Sequence, residues 1–176
     1  ALPISATRVA ALDPELAAAL DRDGFLLVRG AIPQQWLPNL RAAFDAGETP
    51  SEAWPAPRGR DWRHALVDLD PLIQRLCRLP VLLAAVQRII GGPFFLGQVE
   101  GREPRQDGGF QGLHRDGGTE TSRVVSALAF LDDFDTGNGA TSCLVGKFTD
   151  VMGSGTVGPG NGSGTGSKAL GIQLIR

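Results

Sequence analysis

Phe110-Gln111-Gly112-Leu113-His114-Arg115-Asp116-Gly117-Gly118, followed by Arg123-Val124-Val125-Ser126-Ala127-Leu128-Ala129-Phe130-Leu131, is the stretch on which the reading of the fold turns. Phe110 to His114 reads as a strand running into a turn, and Arg123 to Leu131 as a β-branched, apolar strand after it. Side chains alternate faces along a strand, so His114 and Asp116 share one side while Arg115 points to the other. An imidazole and a carboxylate placed this way offer two adjacent positions to a divalent metal. The same spacing also fits an ordinary strand histidine hydrogen-bonded to a turn aspartate.

The chain before this stretch is helical in pattern. Asp13-Pro14-Glu15 opens a helix with a capping carboxylate, a proline in the first turn and an acidic residue after it. Asp23-Gly24 ends that helix, and Phe25 to Val28 reads as a buried strand. Trp36, Leu37, Leu40, Ala43 and Phe44 recur at helical spacing, and Gly47 to Arg60 is a loop. Helices fit Pro71 to Arg78 and Pro80 to Ile90, the second closed by Gly91-Gly92-Pro93. Beyond them come a strand from Phe94 to Val99 and a polar loop from Gly101 to Gly109. After the central stretch, Asp132 to Gly139 is a tight acidic turn, and Ala140 to Val145 can pair back as a strand.

The whole therefore reads as one domain over 1–176. A helix-rich part, 1–93, lies against a β core, 94–176, that carries a Gly-rich irregular stretch at 153–166. Helices followed by short strands with Gly-rich turns suggest a β-sandwich or barrel.

Composition narrows the classes. With 176 residues, 42% hydrophobic and 20% charged, the chain can bury a substantial core. A net charge of −2 gives no basic footprint for nucleic acid or an anionic membrane. No apolar run approaches membrane-spanning length, and Ala1 to Ser5 lacks a signal-peptide pattern. The expected location is cytoplasmic, with Cys77 and Cys143 as buried thiols. Asp133 and Asp135 invite a calcium reading, but an EF-hand register puts Asn138 at the required glycine and Leu144 at the closing glutamate. Gly153 to Gly158 spells G-x-G-x-x-G, yet the glycines beyond it exclude the helix a dinucleotide site needs.

A third ligand beside His114 and Asp116 would complete the 2-His-1-carboxylate set of non-haem Fe(II) oxygenases. Two segments together resemble one family. Asp23-Gly24-Phe25-Leu26-Leu27-Val28-Arg29-Gly30 is similar to the N-terminal signature of the phytanoyl-CoA dioxygenase (PhyH) family, and Gln111 to Asp116 to its metal-binding strand. Ala127 to Asp133, with Asn138-Gly139-Ala140-Thr141, resembles the strand and turn that come next in the family, and Ala169 to Arg176 its late core strand. The resemblance implies a double-stranded β-helix (jelly-roll, cupin-like) core with a helical layer. It implies Fe(II) held by His114 and Asp116, with 2-oxoglutarate and O2 as co-substrates and a small organic molecule as the substrate oxidised.

The likeness then departs from the family pattern. No histidine comes after His114; the distal ligand falls at or near Thr156 and the 2-oxoglutarate arginine on Ser167. Lys168 is the nearest cation, a point charge without the arginine fork. Three readings stay open. The sequence lacks part of the interval between 145 and 168; or the protein is a silent β-helix module for binding or structure; or a ligand outside the pattern, such as His64 or a water, completes the site. The first is favoured, because a Gly/Ser/Thr tract in a core-strand position conflicts with the patterned sheet before it. Substrate and oligomeric state are not encoded legibly.

Overall fold

The computed structural model describes residues 9–49, 62–103, 124–135, 138, 141 and 167–175. The expected strands at Phe110 to His114 and Ala140 to Val145, and the Gly-rich stretch 153–166, lie outside the described residues.

Helix α1 (Pro14–Asp23) forms as its ends dictate. The Asp13 carboxylate accepts from the N–H of Glu15 at 2.9 Å and of Leu16 at 3.3 Å, and Gly24 closes the helix at φ 77°. A 3-10 turn, Gln34–Trp36, leads into α2 (Leu37–Asp45), which buries Leu40, Ala43 and Phe44. After two short helices, α3 (Leu66–Leu69) and α4 (Pro71–Leu76), comes α5 (Pro80–Ile90), which buries Ala84, Val86 and Ile90.

Among the described residues the strands are β1 (Trp62–Arg63), β2 (Phe95–Arg102), β3 (Val124–Phe130) and β4 (Ala169–Ile175). They form one sheet in the order β1-β2-β4-β3, with every neighbouring pair antiparallel. The last strand thus sits between two earlier ones, and β2 and β3 run in the same direction on either side of it. The chain leaves β2 beside Ala169 and enters β3 beside Ile175, at opposite ends of β4.

Alternation divides the sheet into two faces. Val99, Leu170, Ile172 and Leu174 turn to the helices and form one core with Leu40, Phe44, Leu66, Ile73, Leu76, Val86 and Ile90. Each large side chain fully buried there contributes roughly 1.5–3 kcal/mol of transfer free energy. The opposite face carries Gln98, Glu100 and Arg102 of β2, Gln173 of β4 and Ser126 of β3. In register, Gln98 lies across from Gln173, and Gln173 from Ser126.

Two expectations need correction. Phe25 to Val28 is not a strand: it pairs with no strand among the described residues, and Leu27 is 58% exposed. An apolar run without a ladder partner has no reason to stay extended and buried. Strand β2 also runs three residues past Val99, to Arg102, through the start of the expected loop. Gly101 permits this by lying flat on the Phe44 ring, where a Cβ would come within 2.5 Å of Cε2.

Candidate functional site

The polar face of the sheet is where this fold gathers side chains capable of chemistry. On β2, Glu100 is 8% exposed and Arg102 half-buried. Beside them at the sheet edge, β1 pairs Trp62 with Arg102 and Arg63 with Gly101. Trp62 therefore shares the face of Arg102, whose guanidinium carbon lies 5.3 Å from the indole centroid. That separation is a cation–π contact that holds the fork in one orientation.

His64 comes next on the same edge. Its backbone bridges to Glu48, with His64 N–H donating to the Glu48 carbonyl at 2.8 Å and the reverse bond at 3.0 Å. The imidazole is buried, 6% exposed, with Nδ1 3.9 Å from Glu100 Oε1. At that separation the two groups are within ion-pair range but outside direct hydrogen-bond distance. Ala65, at φ 57°, then turns the chain off the sheet into α3.

The residues the sequence singles out fare differently. His114, Asp116 and Thr156 lie outside the described residues. Lys168 is described, and its Nζ lies 2.6 Å from Asp45 Oδ1 and 5.6 Å from the Phe44 ring centroid. The ammonium is thus on the helix side, because Lys168 alternates with Ala169 and shares the face of Leu170. Ser167, where the family's arginine would fall, is 7% exposed. Its Oγ donates to the Asp133 carbonyl at 3.4 Å and accepts from Asn138 Nδ2 at 3.2 Å.

The acidic turn is closed from inside. Asn138 Nδ2 donates to the Asp133 carbonyl at 2.7 Å, and its Oδ1 accepts from the Asp135 N–H, also at 2.7 Å. Asp132 points back to the helices: it accepts from Arg41 Nε at 2.6 Å and from the Lys168 N–H at 2.8 Å. Among the described residues no group of three or more His, Cys, Asp or Glu side chains is placed to hold a metal. No described helix is long and apolar enough to cross a membrane.

Sequence reasoning passed over Trp62, on the short edge strand β1, and Glu100 and Arg102, which lie past the expected end of β2 at Val99, Arg102 within the expected loop. The one available signal was the alternation Gln98, Glu100, Arg102, a polar series continuing the strand past Val99.

Comparison with models of protein families finds no match, and comparison with curated proteins finds none either.

Proposed function

We propose that this chain is a non-haem Fe(II)- and 2-oxoglutarate-dependent dioxygenase of PhyH type that oxidises a small organic molecule. The observation that carries this reading is the polar sheet face, where the carboxylate of Glu100 and the arginine fork of Arg102 on β2 lie beside the imidazole of His64, just past β1 at the sheet edge. Nitrogen and oxygen donors of this kind suit a divalent first-row metal, and a guanidinium suits a carboxylate. The sheet order supports a double-stranded β-helix. With β2 and β3 parallel and β4 between them, the end of β2 and the start of β3 lie at opposite ends of the sheet.

In this reading His114 and Asp116 hold the metal, and Fe(II) with 2-oxoglutarate and O2 supplies the oxidising power for an unactivated C–H bond. Arg102, steadied by Trp62, takes a carboxylate of the co-substrate. Lys168, the nearest cation by sequence, is held by Asp45 on the other side of the sheet. The buried part of the polar face keeps water from the reacting groups.

A second reading, a silent β-helix domain serving as a binding or structural module, has its own support. Ser167 closes a turn and Lys168 an ion pair, so the described end of β4 offers no cation to the polar face. Anaerobic titration with Fe(II) and 2-oxoglutarate separates the two. The dioxygenase gives a weak visible charge-transfer band, which Asp116→Ala abolishes. A chain that shows no band at saturation is the silent module.

A further inference from the structure

Phe25 to Val28 has the composition of a strand and, among the described residues, no ladder to join. The backbone groups of Phe25 to Arg29 make no hydrogen bond among the described residues. Yet the side chains keep a strand's period of two. Phe25, at 37%, Leu27, at 58%, and Arg29 are exposed, while Leu26 and Val28 are half-buried. Gly24 at φ 77° and Gly30 at φ 70° bound the segment, so its unpaired N–H and C=O groups stand between two turns. An unpaired apolar run with no proline, glycine or charge inside it is a template for strand addition.

The sequence of the run selects the strand that fits it. Laid antiparallel on itself about Leu26, it places Phe25 across from Leu27 and Asp23 across from Arg29. Opposed residues share a face, so the two exposed apolar side chains meet and opposite charges close both ends. Moved one residue either way, the axis sets Asp23 against Leu27 or Ala31 instead. Asp23 accepts from Arg22 at 2.8 and 2.6 Å, and its carboxylate has room for a second guanidinium. Arg29 has no ion pair among the described residues. We infer that Phe25 to Arg29 is an interaction surface for a second copy of this chain, the two segments pairing as antiparallel strands about a two-fold axis at Leu26. A segment this short falls well below the roughly 20–30 residues a side of a stable interface, so the dimer is weak and concentration-dependent. The pairing uses none of the residues of the polar sheet face.

The test is sedimentation velocity of the full chain from about 1 μM to about 1 mM, with hydrogen exchange of residues 25–29 at both ends of that range. Wild type shifts from monomer to dimer, and these amides exchange more slowly in the concentrated sample. Leu26→Pro and Leu27→Pro remove N–H groups from opposite edges of the segment, so one of the two variants stays monomeric throughout. Neither N–H is hydrogen-bonded among the described residues, so the folding midpoints hold. Asp23→Arg and Arg29→Asp leave the backbone intact and each weaken self-association by about tenfold. An equimolar mixture of the two restores it, because only the mixed pair sets Arg against Asp at both ends. A chain that stays monomeric at every concentration overturns the inference: protected amides then mean that its own chain covers the segment, and unprotected ones that solvent does. A dimer that survives both proline variants overturns it too, as do charge variants whose mixture associates no better than each alone.

Discussion

Gly101 lies against the ring of Phe44 so closely that a methyl group there would meet Cε2 at 2.5 Å and Cδ2 at 2.8 Å. Phe44 is fully buried in α2, and Gly101 is the point where β2 passes over it. This contact sets how near the helical layer comes to the sheet and lets β2 continue to Arg102. The side chains of Glu100 and Arg102 consequently emerge on the far face.

Gly101→Ala should therefore destabilise the fold by about 1–3 kcal/mol, the cost of overpacking a core. Denaturant titration reads it directly. Phe44→Leu in the same chain should recover part of the loss, because it removes the ring edge the new methyl meets. Equal stability of Gly101→Ala and wild type would mean that the two layers are not in this register.

Asp132 ties three parts of the molecule together, accepting from Arg41 of α2 and from the backbone N–H of Lys168. Arg41 also donates to the Leu131 carbonyl at 2.5 Å. Asp132→Ala leaves a backbone donor at the start of β4 without its acceptor, at a cost of about 1–3 kcal/mol. Arg41→Ala should cost less, near the 0–1 kcal/mol of exposed ion pairs, since Arg41 is 39% exposed. The order of the two midpoints in urea is the check.

Co-substrate binding separates the two cations considered for it. Arg102→Met is expected to weaken 2-oxoglutarate by at least tenfold, about 1.4 kcal/mol for a lost charge-assisted contact. Lys168→Met should leave the affinity within about twofold, because its ammonium is occupied by Asp45 across the sheet. Titration of the charge-transfer band measures both.

Cys77 is 2% exposed, and burial pushes its thiol up to about 11. The folded state thus keeps a proton that the unfolded chain releases near pH 9. Above that pH the unfolded state binds fewer protons, so this contribution to stability is present below pH 9 and lost as pH rises toward 11. The expected slope is at most about 1.4 kcal/mol per pH unit. Cys77→Ala should flatten that part of the stability curve, and native Cys77 should resist alkylation at pH 8. Ready labelling of Cys77 in the folded protein would contradict the burial.

The parts legible in the sequence are those governed by neighbours in the chain. Asp13 and Pro14 at one end and Gly24 at the other frame α1 through local hydrogen bonds and backbone freedom. The same holds for α5, with Pro80 at its start and Gly91 at φ 69° beyond its end. Strand β3 was readable because its β-branched, apolar run suits an extended backbone, whereas the stretch that forms β4 was picked out only by resemblance. Phe25 to Val28 has a similar composition and no partner strand among the described residues, and composition alone cannot supply one.

For the candidate site, the sequence by itself identified His114 and Asp116 as a pair on one side of a strand, and Lys168 as the nearest cation to the missing arginine. Only the tertiary structure decided that Lys168 belongs to Asp45, and that Glu100, Arg102, Trp62 and His64 meet on one face. The reason is range. Alternation along a strand is set within a few residues, whereas the partner across a sheet is chosen by which strands pair. Here β4, the last strand, inserted itself between β2 and β3, and that insertion gave the polar face its members.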